Sequence, residues 1–245
     1  MRQNQRAYLA LLEDSLRRLA KSYPAPLLNY YNTGYLKLAE IPTPILRAFP
    51  KSFDFQSTLN QRELREFWFF SWHESEIFEV LSLALYFFEK EMSQYTLKDW
   101  HWLKKLVNKV DNWAHSDGLS KIYAHLYQQG KEQLETTYEE WNNSKNPWQR
   151  RQSLVGMLYY SNLRKKNVPP FFIFKRRIMA LLMDDHFYVR KGLGWTLREM
   201  YNIYPEETYR LLLKIAKKLP AEGWQAASEK LSVKDKKRLI QVRRS

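Results

Sequence analysis

The pentapeptide Pro147-Trp-Gln-Arg-Arg151 returns forty residues later as Phe187-Tyr-Val-Arg-Lys191, with an aromatic side chain and two adjacent cations in the same places. The second copy opens a stretch in which Leu193, Leu197, Met200 and Tyr204 share one face of a helix. The same spacing runs through Leu97, Trp100, Leu103, Leu106, Val107 and Val110, and through Leu119, Ile122, Tyr123 and Leu126. No segment shows the period-two alternation of a half-buried strand. Helix starts are expected near Glu74, Asn112, Pro147 and Phe187, at spacings of 38, 35 and 40 residues. Ser75 and Ser93 are candidate caps, Pro147 and Pro205 fit first helical turns, and Pro169-Pro170 marks a loop. A period near forty with two helices per unit is the mark of HEAT-type repeats, which stack to bury faces that no single repeat can cover. The expected fold class is all-α, a HEAT-like helical repeat solenoid (an α-α superhelix) with a concave binding face. An irregular helical bundle is the alternative.

With only 7 glycines and no Gly/Ser-rich or Pro-rich linker, the 245 residues read as a single domain, 1–245. The absence of cysteine excludes disulfides, thiolate nucleophiles and Cys-based metal sites, and it fits a reducing compartment. The first residues contain no apolar leader, so a cytoplasmic location is expected. The apolar run Ile77–Phe88 is interrupted by Glu79 and Ser82 and is shorter than the roughly 20 residues a membrane span needs. No membrane partner is expected. The five histidines (His73, His101, His115, His125 and His186) lack paired ligand spacing, so no metal is expected. Gly192-Leu-Gly194 is too short for a phosphate loop and falls inside a helical pattern.

The net charge is +14, and its distribution matters more than its size. Ten basic residues stand against two acidic ones between Arg150 and Lys191, and eleven against three between Arg210 and Ser245. Clustered cations favour a polyanionic partner over a merely soluble surface.

Two tryptophans fall off the apolar faces of their helices. In the helix from Asn112, His115 shares the face of Leu119, Ile122 and Leu126, and it reads as structural. Trp113 and Asp117 lie together on the other side. In the helix from Phe187, Trp195 points away from Val189, Leu193 and Leu197, beside Lys191, Arg198 and Glu199. These indoles either pack against a second helical layer or meet a ligand on a concave face. Asp117 could equally pair with Lys121 one turn on. The dibasic pairs Arg150-Arg151 and Arg190-Lys191 sit in first helical turns, where a cation opposes the helix dipole. Their partner is either an acidic side chain of a neighbouring repeat or a phosphate gripped by arginine.

At these residues the chain resembles the AlkD family of DNA glycosylases. The resemblance rests on Val110-Asp-Asn-Trp-Ala-His-Ser-Asp117, Asn146-Pro-Trp-Gln-Arg-Arg151 and Arg190-Lys-Gly-Leu-Gly-Trp-Thr-Leu-Arg198, with Leu38-Ala-Glu-Ile-Pro-Thr-Pro-Ile-Leu-Arg47 upstream. Where family members often carry an acidic residue after the first Trp, this chain has Ala114. The resemblance implies a HEAT-like solenoid whose concave face binds DNA. It implies that Asp117 is the catalytic carboxylate and that Trp113 and Trp195 flank the deoxyribose of the damaged nucleotide. Arg151, or Arg150 beside it, would contact the phosphate, and Arg198 would be a further DNA contact; Arg190, Lys191 and Arg47 are expected to bind DNA beside them. The partner implied is double-stranded DNA containing alkylated bases, and the reaction is hydrolysis of the N-glycosidic bond of N3- and N7-alkylated purines. It would need no cofactor, leave the base unflipped and be carried out by a monomer. The alternatives are a non-catalytic protein of the same fold that binds bent or branched DNA, and a protein-binding scaffold.

Overall fold

A computed structural model describes residues 2–23, 34–49, 58–157 and 168–245. Among them are thirteen α-helices and no named strand. The helices are α1 (Arg2–Ala20), α2 (Thr43–Ala48), α3 (Gln61–Glu74), α4 (Phe78–Lys90), α5 (Trp100–Leu103), α6 (Trp113–Gln129) and α7 (Lys131–Asn142). They continue with α8 (Pro147–Val155), α9 (Phe171–Leu181), α10 (Phe187–Ile203), α11 (Pro205–Ile215), α12 (Ala221–Ala227) and α13 (Val233–Arg244). None of the described helices is long and apolar enough to cross a membrane. The chain forms two compact units, one of residues 1–95 with 109–119, the other of 96–108 with 120–245.

The expected starts at Pro147 and Phe187 are the first residues of α8 and α10, and α6 begins one residue after Asn112. The start expected near Glu74 is instead the end of α3, because Ser75 turns extended there and α4 begins at Phe78. Ser75 therefore closes a helix, and Ser93 lies inside a short 3-10 turn, Met92–Gln94, without capping one. The periodic stretch Leu97–Val110 is also broken. Thr96 and Asp99 cap each other around a 3-10 turn, α5 lasts one turn, and a second 3-10 turn follows at Leu106–Lys109. The apolar spacing survives because Leu103, Leu106 and Val107 are all buried.

In the first unit, α3 opens with a capping box in which Asn60 and Glu63 each accept the other's backbone N–H, at 3.0 and 2.9 Å. The next helix, α4, is buried nearly all round. It carries Glu79, whose carboxylate accepts the N–H groups of Ala39 and Glu40 at 2.7 and 2.8 Å. Burial pushes the Glu79 carboxyl above its ordinary value, against the lowering effect of those N–H donors. A second carboxylate, Asp111, accepts from the Leu36 N–H at 2.8 Å. A Cβ at Gly34 would stand 2.2 Å from that carboxylate, so glycine is required there. Two buried acids thus fasten the segment leading into α2 and Arg47.

The second unit repeats a local device. Arg150 donates to the Ser144 and Lys145 carbonyls, both at 3.0 Å, and Arg190 to the Asp184 and Asp185 carbonyls at 3.4 and 2.6 Å. Each arginine then reaches forward into the next repeat. Arg150 grips Asp184 at 2.6 and 3.1 Å, and Arg190 grips Glu222 at 3.3 and 3.2 Å. The equivalent aromatics Trp148 and Tyr188 stack on one another, centroids 5.4 Å apart and planes at 26°. On its other side α10 meets α12, where a Cβ at Gly194 would lie 2.2 Å from the Gly223 carbonyl oxygen. Repeat-related contacts, and not only apolar faces, set the register of these helices.

Candidate nucleic-acid interface

Trp113 and Asp117 occupy successive turns at the start of α6, and both are half-buried. The turn is fixed from below and behind. Asn112 accepts the Ala114 N–H on its side chain at 2.7 Å and the Ser116 N–H on its carbonyl at 3.1 Å. His115 faces inward, stacked on Phe78 at 4.4 Å and edge-on to Trp72 at 5.6 Å. Its Nε2 pairs with the Ser82 hydroxyl at 2.9 Å. Burial drives the His115 imidazole down to about 3, so it stays neutral near pH 7. Gly118 completes the seat, because a Cβ there would fall 2.3 Å from the Leu85 side chain. His115 is structural, as its position on the apolar face implies, and the Trp113–Asp117 edge is presented by packing underneath it.

In the second unit, Trp195 is only 9% exposed, although the periodicity of α10 sets it off the apolar face. Its ring is covered from α8 by Arg151, whose guanidinium carbon lies 5.8 Å from the ring centre. Arg151 is itself 4% exposed, and its Nη1 donates to the Tyr188 carbonyl at 2.6 Å. Gly192 makes room for it, since a Cβ there would stand 2.9 Å from that nitrogen. The Gly192-Leu-Gly194 pair therefore serves two close approaches on α10, one to an arginine and one to a neighbouring backbone.

The other cations singled out from the sequence are placed in varied company. Arg150 and Arg190 hold acidic side chains of the following repeat, and Arg198 pairs with Glu199 and Glu229 at 3.0 and 2.6 Å. Those carboxylates hold the Arg198 guanidinium above its ordinary value despite the opposing effect of burial. Lys191 is exposed, with its ammonium 5.2 Å from the Phe187 ring centre. Arg47 is exposed and lies over Tyr86 at 5.1 Å. The full burial of Arg177, one of the ten cations counted between Arg150 and Lys191, escapes sequence reading. It ends the Lys175-Arg176-Arg177 run of α9, contacts Glu135 and the Met157 sulfur, and lies over Tyr138 at 5.4 Å.

Stacked helix pairs joined by arginine-to-acid links, with tryptophan, carboxylate and arginine at helix starts, define a helical-repeat protein. Its affinity is settled by comparison. A family model described as DNA alkylation repair enzyme matches residues 12–231, and the chain belongs to that family. The fold agrees. A predicted DNA alkylation repair enzyme from Enterococcus faecalis superposes with a TM-score of 0.65 at 19% identity, over 81% of this chain and 90% of that one. AlkD2 from Streptococcus mutans gives 0.53 at 20% identity, over 90% and 99%. No curated protein matches the chain.

Proposed function

We propose that this member of the DNA alkylation repair family is a glycosylase that hydrolyses the N-glycosidic bond of N3-methyladenine and N7-methylguanine in duplex DNA. The observation that carries the reading is the pairing of Trp113 and Asp117 on successive turns of α6, on a seat built to present them. A purine alkylated at N3 or N7 is already cationic, so it departs as a neutral base with the bonding electrons and needs no general acid. Positive charge then collects on the sugar. Asp117 stabilises that charge and orients the water that adds to C1′, taking up its proton. Trp113, one turn before Asp117 on α6, adds cation–π attraction and keeps bulk water out, and Trp195, which Arg151 covers in the second unit, is the second aromatic of this reading. Arg151 steadies Trp195 and fixes the adjoining phosphate, while Lys191 and Arg47 supply outlying phosphate contacts. For Arg150, Arg190 and Arg198, a phosphate would share the guanidinium with a carboxylate already held there. Because the reacting groups address the sugar, the base can leave without extrusion from the stack. The whole chain acts as one domain and as a monomer in this reading.

The test is release of 7-methylguanine and 3-methyladenine from methylated duplex. Wild type is expected to release both, and Asp117→Asn to lose at least a hundredfold in rate at unchanged thermal stability. Equal rates for the two proteins sink the catalytic assignment. No release from either, with salt-sensitive duplex binding kept, points instead to a non-catalytic binder of bent or branched DNA.

A further inference from the structure

The acidic side chains of the C-terminal repeat are already engaged. Glu222 is held by Arg190, and Glu229 by Arg198 and Lys230. Asp235, the sole acidic residue of α13, accepts from the Ser232 hydroxyl at 2.8 Å and from the Tyr201 hydroxyl at 3.3 Å. Among the described residues, every acidic side chain of this segment is engaged. Its exposed cations are another matter. Lys234, Lys236, Lys237, Arg238 and Arg244 of α13 are all exposed, and none has an ion-pair partner among the described residues.

The helix that carries them is firmly docked. Leu239 is fully buried, and Arg243 donates to the Ala216 carbonyl at 2.6 Å while lying 5.3 Å over the Trp224 ring. That anchor also brings the end of α13 beside the turn after α11, where Lys217 and Lys218 are exposed and equally without an acidic partner. Like charges so concentrated repel one another and cost stability unless a polyanion meets them. Twelve residues of helix extend about 18 Å, which matches roughly five phosphates of one DNA strand.

We propose that the outer face of α13, with the adjoining turn, is a lesion-independent holding surface for the phosphate backbone of duplex DNA. It grips undamaged and damaged duplex alike and takes no part in the chemistry. The inference shares its DNA partner with the proposed function but not its catalytic residues. If wild type releases no methylated base, the glycosylase reading fails while the holding surface can still be measured.

The experiment compares wild type with Lys234→Gln/Lys237→Gln/Arg244→Gln, the exposed cations opposite the buried Leu239, for binding of an undamaged fluorescent duplex between about 50 and 200 mM salt. The triple variant is expected to show a log–log salt slope shallower by roughly two to three, and an affinity at least tenfold weaker at about 100 mM salt. Base release at saturating enzyme is expected to match wild type. A slope equal to that of wild type overturns the proposal. So does an unchanged duplex slope accompanied by lost binding to phosphatidylglycerol vesicles, which would assign the surface to lipid.

Discussion

Arg151 reaches across from α8 to lay its guanidinium on the face of Trp195 in α10, and the residue that permits the contact is Gly192. A methyl group at position 192 would displace the end of a flexible side chain and leave the backbone in place. Gly192→Ala is therefore expected to cost only about 1 kcal/mol of stability, while lowering base release through a misplaced Arg151. Gly194→Ala differs in kind, because its methyl meets the Gly223 backbone. It is expected to cost about 3 kcal/mol or more. Thermal unfolding and base release, measured on both variants, separate the two. Equal destabilisation would contradict the assignment of different neighbours.

The Arg150–Asp184 pair tests the link between repeats. Its side chains are 16% and 5% exposed, so removing one partner strands a largely desolvated charge. Arg150→Met is expected to destabilise by about 3 kcal/mol. Arg150→Lys should recover only part, because a point charge cannot reproduce the two-pronged grip. Arg150→Met with Asp184→Leu should cost less than the two single changes added together. Additive losses in urea unfolding would show that the pair is not coupled.

His115 gives a pH dependence with a definite sign. Its folded value of about 3 lies below the ordinary 6.5, so the unfolded chain takes up the proton first as pH falls. The stability contributed by the neutral ring is complete above pH 6.5 and is lost progressively down to about pH 3. The slope is about 1.4 kcal/mol per pH unit for one proton, or about 2 kcal/mol by pH 5. In His115→Gln, which keeps a hydrogen-bonding group for Ser82, that component of the slope should vanish. Urea midpoints measured at neutral and mildly acidic pH check it, and identical slopes would place the titration elsewhere.

Helix starts at Pro147, Phe187 and Pro205 are legible in the sequence because proline, aromatic and dibasic residues announce them locally. The burial of Trp195 is not, since a single apolar stripe presumes one buried side. With α8 on one flank and α12 on the other, α10 also buries Gly192, Gly194, Trp195, Thr196 and Glu199. Fastenings such as Glu79 to Ala39 and Asp111 to Leu36 span 40 and 75 residues, beyond any local pattern. The candidate site is legible in part. The i, i+4 placement of Trp113 and Asp117 follows from helical geometry alone. The cover that Arg151 gives Trp195 depends on packing between helices.

The forward reach of Arg150 to Asp184 and of Arg190 to Glu222 has a direction. Both arginines keep their own loop carbonyls satisfied and take their counter-ion from the repeat that follows. Trimming the chain after residue 220 would strip Arg190 of its acid while leaving its carbonyl ligands in place. Loss of Asp184 in turn would strip Arg150 in the same way. At these two links loss runs from the carboxyl end toward the amino end, so α12 acts as a bolt for α10, and the turn before α10 as a bolt for α8.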